Sequence, residues 1–449
     1  MRKISKIVGR VPIAQVSEVI GTRSPLKRKR FSGGVERYCR YGVRKQDGYL
    51  TEMQKLEFYD EDKLTTKEDR GIQFRNTTYN AALARFLHHC EKRFYKRMVN
   101  EDGTPMVMKG RSPIERGLIM AAQAKRFHKP KFVLMDHARF DAHINKWLLS
   151  EEHKGYLREH GYDEELKFLL KQQEGTMGFS HGGIVYRTCA KRSSGDINTG
   201  GGNSRINLGA ILSWLASIGC RKFAIGCDGD DSYVIVEDEQ ELGDIAGHML
   251  KLGLVTEVEV VHDLEEAEFC QSKVVWGKLG PQMVRNPKKV LDVLTKSPRI
   301  VTKEQARGIL AASALGELMQ APGVPVISVA ASCLITIAGG KPSFHTPDQH
   351  ERFMVYRTDR IIPEVDDTMR VGFEKAWGIT IAEQLATEQY YLDMADQTTE
   401  MPEIPEPKSK RSIESYEIWD DAPFYQPSHL EEDAWWLAEY PLGELVGKH

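Results

Sequence analysis

The chain contains no Cys-x-x-Cys pair, and its seven cysteines are scattered and odd in number. This argues against a disulfide scaffold or a zinc site, and it fits a reducing compartment. Long apolar runs are also missing. The most apolar region, residues 309–340, is interrupted by Glu317, Pro322 and Pro325, which argues for a buried helix pair rather than a membrane span. The first residues are basic and lack a sustained apolar stretch, so no signal peptide is expected. Internal repeats are absent. Net charge is nearly absent as well, at −2, but that figure hides an asymmetry. Residues 1–45 carry 13 Lys and Arg against 2 Glu, whereas residues 396–449 carry 13 Asp and Glu against 4 Lys and Arg.

The 449 residues, 41% hydrophobic and 28% charged, are enough for several packed subdomains. The basic segment 1–45 suggests a polyanion or an anionic membrane surface as partner, unless it is only a solvated, partly disordered arm. Within it, Lys27-Arg28-Lys29-Arg30-Phe31-Ser32-Gly33-Gly34 reads as a flexible basic linker. From about residue 41 to 287, short apolar runs alternate with helical stretches, an α/β (α+β) pattern. Residues 288–395 read as mainly helical. Pro402, Pro405 and Pro407 then break the chain before an acidic, aromatic tail with Trp419, Trp435 and Trp436.

Four segments carry chemistry. Phe223-Ala224-Ile225 and Tyr233-Val234-Ile235-Val236 flank Asp228, Gly229, Asp230 and Asp231, which reads as a β-hairpin with acids crowded at its tip. Adjacent carboxylates repel unless a cation sits between them, and carboxylate oxygens suit hard Mg²⁺. The bland alternative is an exposed Gly-Asp-Asp turn. Next, Lys131-Phe132-Val133-Leu134-Met135 is strand-like and ends at Asp136, five residues before Asp141. An acid at a strand end sits where catalytic groups often do, although a chain with 64 acids also yields such a pair by chance. Third, the run from Ser194 through Asp196, Thr199 and three glycines to Asn203 precedes an apolar helical stretch from Leu208 to Ile218. It could hold a phosphate or nucleotide, or be a surface loop. It lacks the Lys of the Gly-x4-Gly-Lys-Ser/Thr pattern. Fourth, Lys67, Arg70 and Arg75 bracket Ile72-Gln73-Phe74 and could line a triphosphate channel, or simply face solvent.

Taken in order, these segments resemble the RNA-dependent RNA polymerases of tombusviruses and their relatives. Arg70 to Arg75 is similar to the family's finger motif. Asp136 to His143 matches Asp-x2-Arg-Phe-Asp-x-His of its first palm motif. Ser194 to Asn203 matches Ser-Gly-Asp-x-Asn-Thr-x3-Asn, and Gly229-Asp230-Asp231 the third motif. Phe269-Cys270-Gln271 resembles the motif that follows, and Met283 to Pro287 the start of the thumb. The resemblance spans about residues 67–340. It departs from the family where a Lys is expected after the third motif to protonate pyrophosphate. Glu257 stands near that place, and Lys251 and Lys273 are the nearest cations.

The resemblance implies a right hand: a basic arm at 1–45, interleaved fingers and palm at 46–285, a helical thumb at 286–395 and an acidic tail at 396–449. It implies catalysis and metal binding by Asp136, Asp230 and Asp231, with two Mg²⁺ ions that Mn²⁺ can replace. Lys67, Arg70 and Arg75 would neutralise the incoming triphosphate. Asp141, Ser194, Thr199 and Asn203 would surround the ribose, although Asn203 could instead merely cap the helix that follows. The expected partners are RNA template and product, ribonucleoside triphosphates, and viral replication cofactors or an anionic membrane surface met by the basic arm. The expected place is the host cytoplasm, in membrane-associated replication complexes. Two rival readings share some of these features. A reverse transcriptase would be expected to carry a bulky aromatic near Asp141. A non-enzymatic RNA-binding scaffold would have no need of the three acids together.

Overall fold

The computed structural model describes residues 1–400, apart from 22, 24, 56–69, 279, 297–300, 340–341 and 344–363. The expected acidic tail and Lys67 therefore lie outside the described residues, apart from residues 396–400.

The chain opens with three helices, α1 (Arg2–Val8), α2 (Val16–Gly21) and α3 (Pro25–Tyr41), which pack against α4 (Thr77–Arg97). The flexible linker expected at residues 27–34 is part of α3. Phe31 and Tyr38 lie seven residues apart on its buried side, the spacing of an apolar stripe on a helix. Gly33 and Gly34 lower helix propensity by about 1 kcal/mol each relative to Ala. Gly34, however, lies so close to α4 that an added Cβ would overlap Thr77. Gly34 thus serves close packing, and the basic residues Arg28, Lys29 and Arg40 remain exposed.

β1 (Leu50–Gln54) pairs with β2 (Gly71–Phe74) on one side and with β4 (Gly175–Ser180) on the other, and β4 pairs with β5 (Val185–Cys189), giving a sheet of order β2-β1-β4-β5. Between these strands run α5 (Pro113–Ala124), β3 (Pro130–His137), α6 (Phe140–His143), α7 (Lys146–Glu159) and α8 (Glu164–Glu174). The second four-stranded sheet has the order β6-β7-β3-β8, from β6 (Ala224–Asp228), β7 (Asp231–Glu237) and β8 (Thr256–Val261).

Both faces of this second sheet are covered. Val133, Ile225, Val234 and Val236 pack with Ile206, Ile211 and Trp214 of α9 (Thr199–Ser217), with Met249 of α10 (Ile245–Leu252), and with Ile4 and Val8 of α1. Phe132, Leu134, Tyr233 and Ile235 pack on the other side with Met120 of α5, Val274 of β9 (Ser272–Gly277) and Met283 of β10 (Gly280–Arg285). Burial on both faces explains why β3 and β7 read as unbroken apolar runs rather than alternating ones. After β10 the described chain is helical: α11 (Pro287–Leu294), α12 (Lys303–Gln320), α13 (Ile327–Ala338), α14 (Asp367–Trp377) and α15 (Ile381–Glu400). The helix pair expected in residues 309–340 is α12 and α13, which pack together. Among the described residues, no helix is long and apolar enough to cross a membrane.

Helix α9 is fastened by a buried ion pair. Arg205 lies between the Phe94 and Tyr156 rings, 4.7 Å from each centroid, and meets Glu159 of α7 at 2.8 and 2.9 Å. Both side chains are fully buried. Removing one partner strands the other charge, a loss of about 3–5 kcal/mol. Arg205→Met should accordingly lower the unfolding free energy, obtained from urea titration followed by tryptophan fluorescence, by about 3–5 kcal/mol, and with it the urea midpoint. An unchanged midpoint would mean that Glu159 finds another partner.

Candidate active site

The acids from separate motifs converge at one end of the β6-β7-β3-β8 sheet. Gly229 and Asp230 form the two-residue turn between β6 and β7, with Asp228 paired to Asp231 across the ladder. Gly229 has φ +69° and Asp230 does not take a positive φ, the glycine-first pattern of a II′ hairpin turn. β3 pairs with β7 up to Met135↔Ser232, so one step further along the same register sets Asp136 against Asp231. On its other side, Asp136 pairs with Glu257 of β8. Directly opposite residues share a sheet face. Asp228, Asp231, Asp136 and Glu257 therefore form an acidic row, with Asp230 at the hairpin tip.

Electrostatics follow from this crowding. Burial, then the neighbouring Asp230 and Asp136 carboxylates, push Asp231 up to about 6, partly opposed by a hydrogen bond from Cys270. Asp228 is held by an ion pair with Arg116 of α5, and the Lys109 ammonium lies 3.9 Å from its other oxygen. Asp136 and Asp230 are exposed.

The segment expected as a nucleotide loop is well packed. Helix α9 begins at Thr199 with Asn198 as N-cap, so the three glycines form its first turn and Asn203 lies inside the helix. The capping role considered for Asn203 is thereby excluded. Ser194 accepts a hydrogen bond from the Gln73 N–H at 3.2 Å, and Gly195 donates to the Gln73 carbonyl at 2.7 Å. Thr199 donates its hydroxyl to the Ser193 carbonyl at 2.7 Å. Asn203 donates to Asp141 at 2.7 Å and accepts from Arg192 at 2.9 Å. Arg192 in turn pairs with buried Glu152. Burial raises the Asp141 carboxyl, with Asn203, Arg192 and Arg70 opposing the shift and Asp230 adding to it. Asp141 and Asn203 are thus brought together, within electrostatic reach of Arg70 and Asp230.

One expectation is corrected. Arg75 does not line an open channel. It is 1% exposed, is ion-paired to Asp196, and donates to the carbonyls of Gly48 at 3.0 Å and Gln172 at 3.2 Å. A guanidinium so committed joins the segment after β2 to the loop before α9. Arg70, the residue just before β2, is exposed.

Sequence reasoning passed over several residues that build the site. Ser204 accepts from the Gly229 N–H at 2.9 Å. Asn207 donates to the carbonyls of Gly229 at 3.3 Å and Asp230 at 2.7 Å. His137, next to Asp136, bridges Asn207 at 3.1 Å and Thr256 at 2.8 Å, and burial lowers its basicity. The only sequence signal for Asn207 is a polar residue at every fourth position of α9: Thr199, Asn203, Asn207. Of the nearest cations to the missing Lys, Lys251 is exposed on α10, and Lys273 lies 5.1 Å over the Trp377 ring. No group of three or more His, Cys, Asp or Glu among the described residues is closed into a ready coordination shell.

Comparison with known proteins points the same way as the geometry. Residues 1–398 match the family described as viral RNA dependent RNA polymerase. The match thus begins at residue 1 rather than near residue 67. The RNA-directed RNA polymerase of Cymbidium ringspot virus is 30% identical over 393 residues, covering 81% of this chain and 45% of that protein. That of tomato bushy stunt virus (strain Cherry) is 31% identical over 393 residues, with the same two shares. That of Panicum mosaic virus is 30% identical over 372 residues, covering 79% and 37%. The chain spans less than half the length of these relatives.

Proposed function

The chain belongs to the viral RNA-dependent RNA polymerase family, and from that premise we propose that it transfers ribonucleotides to an RNA 3′-hydroxyl on an RNA template, replicating a positive-strand genome. The observation that carries this reading is the convergence of Asp136, near the end of β3, with Asp230 and Asp231 of the β6–β7 hairpin at one end of the sheet. In the same reading, the α/β part up to residue 285 serves as fingers and palm, and the helices after it as thumb.

The donor set fits a divalent cation. Burial, and after it repulsion from the Asp230 and Asp136 carboxylates, raises Asp231 to about 6, and a hard cation with oxygen ligands would relieve such a site. Asp136 and Asp230 would hold the metal, with Asp231 assisting. The chemistry that a pair of Mg²⁺ ions supplies when bound is activation of the attacking hydroxyl and charge neutralisation at the departing pyrophosphate. The chain's own side chains do the rest. Arg70, together with Lys67, offsets triphosphate charge. Arg75, through Asp196, keeps the strand that follows Arg70 registered on the loop before α9. Asp141 and Asn203 offer polar atoms to the ribose, and Ser194 and Thr199 shape the loop beneath it. Template sequence is read by base pairing, so no side chain need recognise it.

Primer extension on a synthetic RNA with Mg²⁺ and each nucleotide type tests the proposal. Incorporation of ribonucleotides is the expected result. Preference for deoxyribonucleotides would favour the reverse-transcriptase reading, and RNA binding without incorporation would favour a scaffold.

Residues 1–45 remain a candidate surface for RNA or an anionic membrane, but their deletion is a poor probe. Ile4, Val8, Phe31 and Tyr38 are buried in the protein's cores, so removal should destabilise the fold. Replacing exposed Arg28 and Lys29 with Gln is cleaner. If both meet RNA phosphates, the slope of log affinity against log salt on single-stranded RNA should flatten by about 1.4, at roughly 0.7 per contact. An unchanged slope would remove α3 from the RNA-binding surface.

A further inference from the structure

Helix α9 carries Thr199, Asn203 and Asn207 at four-residue intervals, which places them along one helix face. The first two rungs face the loop and Asp141. The third rung does something different. Asn207 is fully buried, and its amide nitrogen donates to the backbone carbonyls of both turn residues, Gly229 and Asp230. Its oxygen faces Nε2 of His137 at 3.1 Å, and Nδ1 of His137 lies 2.8 Å from the Thr256 hydroxyl. The bonds are mutually consistent in one arrangement. The Asn207 nitrogen is used up as donor to two carbonyls, so its oxygen must accept, and Nε2 of His137 must carry the proton. A neutral imidazole then accepts from Thr256 at Nδ1. Ser204, one turn earlier, holds the Gly229 N–H.

The consequence is geometric. Asp230 and Asp136 lie on segments nearly a hundred residues apart in sequence. At the hairpin tip Gly229 carries no side chain and Asp230 is exposed, so backbone bonds are what can fix the height of Asp230 above the sheet. One buried amide joins the tip's backbone to the residue adjacent to Asp136, and β8 is tied in through Thr256. We propose that Asn207 and His137 form a positioning clamp that sets the separation of the Asp136 and Asp230 carboxylates, and hence the affinity and alignment of the divalent cations between them. The proposal rests on the polymerase reading for its activity arm, but not for its binding arm.

The test is a comparison of Asn207→Ala, His137→Ala and His137→Gln with the wild-type chain, read in three ways. The first is Mn²⁺ titration by electron paramagnetic resonance in the absence of nucleotide. The second is primer extension at saturating and limiting nucleotide. The third is a thermal melt. Asn207→Ala should weaken Mn²⁺ binding several-fold and lower kcat about tenfold, with the nucleotide KM and the ATP-to-dATP ratio little changed. His137→Gln, whose amide can still donate to Asn207, should recover much of what His137→Ala loses. The double variant Asn207→Ala/His137→Ala should be no worse than the poorer single variant, because both break one link.

A purely structural role predicts something else: a lower melting point and fewer active molecules, with unchanged Mn²⁺ affinity per folded site. That result would overturn the clamp, as would Mn²⁺ affinity and kcat within twofold of wild type in Asn207→Ala. If Asn207→Ala does not fold, the His137 pair decides, and a Gln variant no better than Ala would overturn the proposal. If the wild-type chain incorporated no nucleotide, the polymerase reading would fall, while the Mn²⁺ titration would still decide the clamp.

Discussion

Asp230→Ala should abolish nucleotide incorporation while leaving the protein as stable as wild type, or slightly more so. The two halves of this expectation come from the same turn. Asp230 is exposed at the hairpin tip, and the bonds that hold the tip run to backbone atoms. Asn207 donates to the Asp230 carbonyl and Ser204 accepts from the Gly229 N–H. An Ala side chain disturbs neither. It also removes one of the charges that raise Asp231, so repulsion at that end of the sheet declines and the Asp231 carboxyl should move back toward its ordinary range. Catalysis has no such substitute. In an in-line phosphoryl transfer, positioning and charge neutralisation supply most of the acceleration. Loss of a principal metal ligand should remove roughly 4 kcal/mol or more of transition-state stabilisation, about a thousandfold in rate. Primer extension alongside a thermal melt and an RNA-binding titration separates these effects. Incorporation within tenfold of wild type would refute the assignment of Asp230 as a metal ligand. A collapsed melting curve would instead mean that the tip depends on the carboxylate for its shape.

Some of this site was legible in the sequence because the signals were local. Two apolar runs bracketing a Gly-Asp-Asp turn specify a hairpin, and an apolar run ending in Asp136 specifies a strand with an acid at its edge. What pairs with what was not legible. Arg75 and Asp196 are 121 positions apart, and nothing local distinguishes a buried guanidinium from one in a channel. Both reside among glycines, polar residues and short apolar runs. The same limit hid Asn207, whose partners come from the hairpin tip and from β3. The error over residues 27–34 had another origin. Glycine marks flexibility and close approach alike, and only the presence of Thr77 against Gly34 separates the two. The helices after residue 285 were readable from periodicity. The order of strands in the two sheets was not, because strand order depends on long-range pairing.

Helix α9 touches more of the candidate site than the motifs suggest. Helix α9 meets strand β2 through the loop before it, Asp141 through Asn203, and the acidic hairpin through Ser204 and Asn207. Its opposite side is fixed by Arg205 and Glu159. A single rigid element therefore spans the groups proposed to handle sugar and metal. Substitutions along it should separate by rung, with Asn203 affecting sugar choice and Asn207 affecting the metal.

The Asn203 rung gives the second large expectation. Asn203→Ala should lower incorporation efficiency for ATP far more than for dATP. Asn203 is 4% exposed, and its amide nitrogen holds one oxygen of Asp141 at 2.7 Å while its oxygen accepts from Arg192. In the proposed reading, that bond would hold Asp141 oriented as an acceptor for a ribose hydroxyl. A site built to hydrogen-bond a hydroxyl discriminates against a substrate lacking it, because its buried polar groups are left unpaired. With Ala at 203, Asp141 loses its orienting donor and Arg192 its acceptor. The advantage of the 2′-hydroxyl should then shrink by about 1–3 kcal/mol, roughly tenfold to a hundredfold in the ATP-to-dATP ratio. The competing explanation is general loosening of the buried network around Arg192 and Glu152. That would lower stability, and with it both nucleotide efficiencies by a common factor, leaving the ratio unchanged. Steady-state efficiencies for ATP and dATP, measured on the same primed template with wild type and variant, distinguish the two. A constant ratio would refute sugar selection by Asn203 and leave it as a structural link between Asp141 and Arg192.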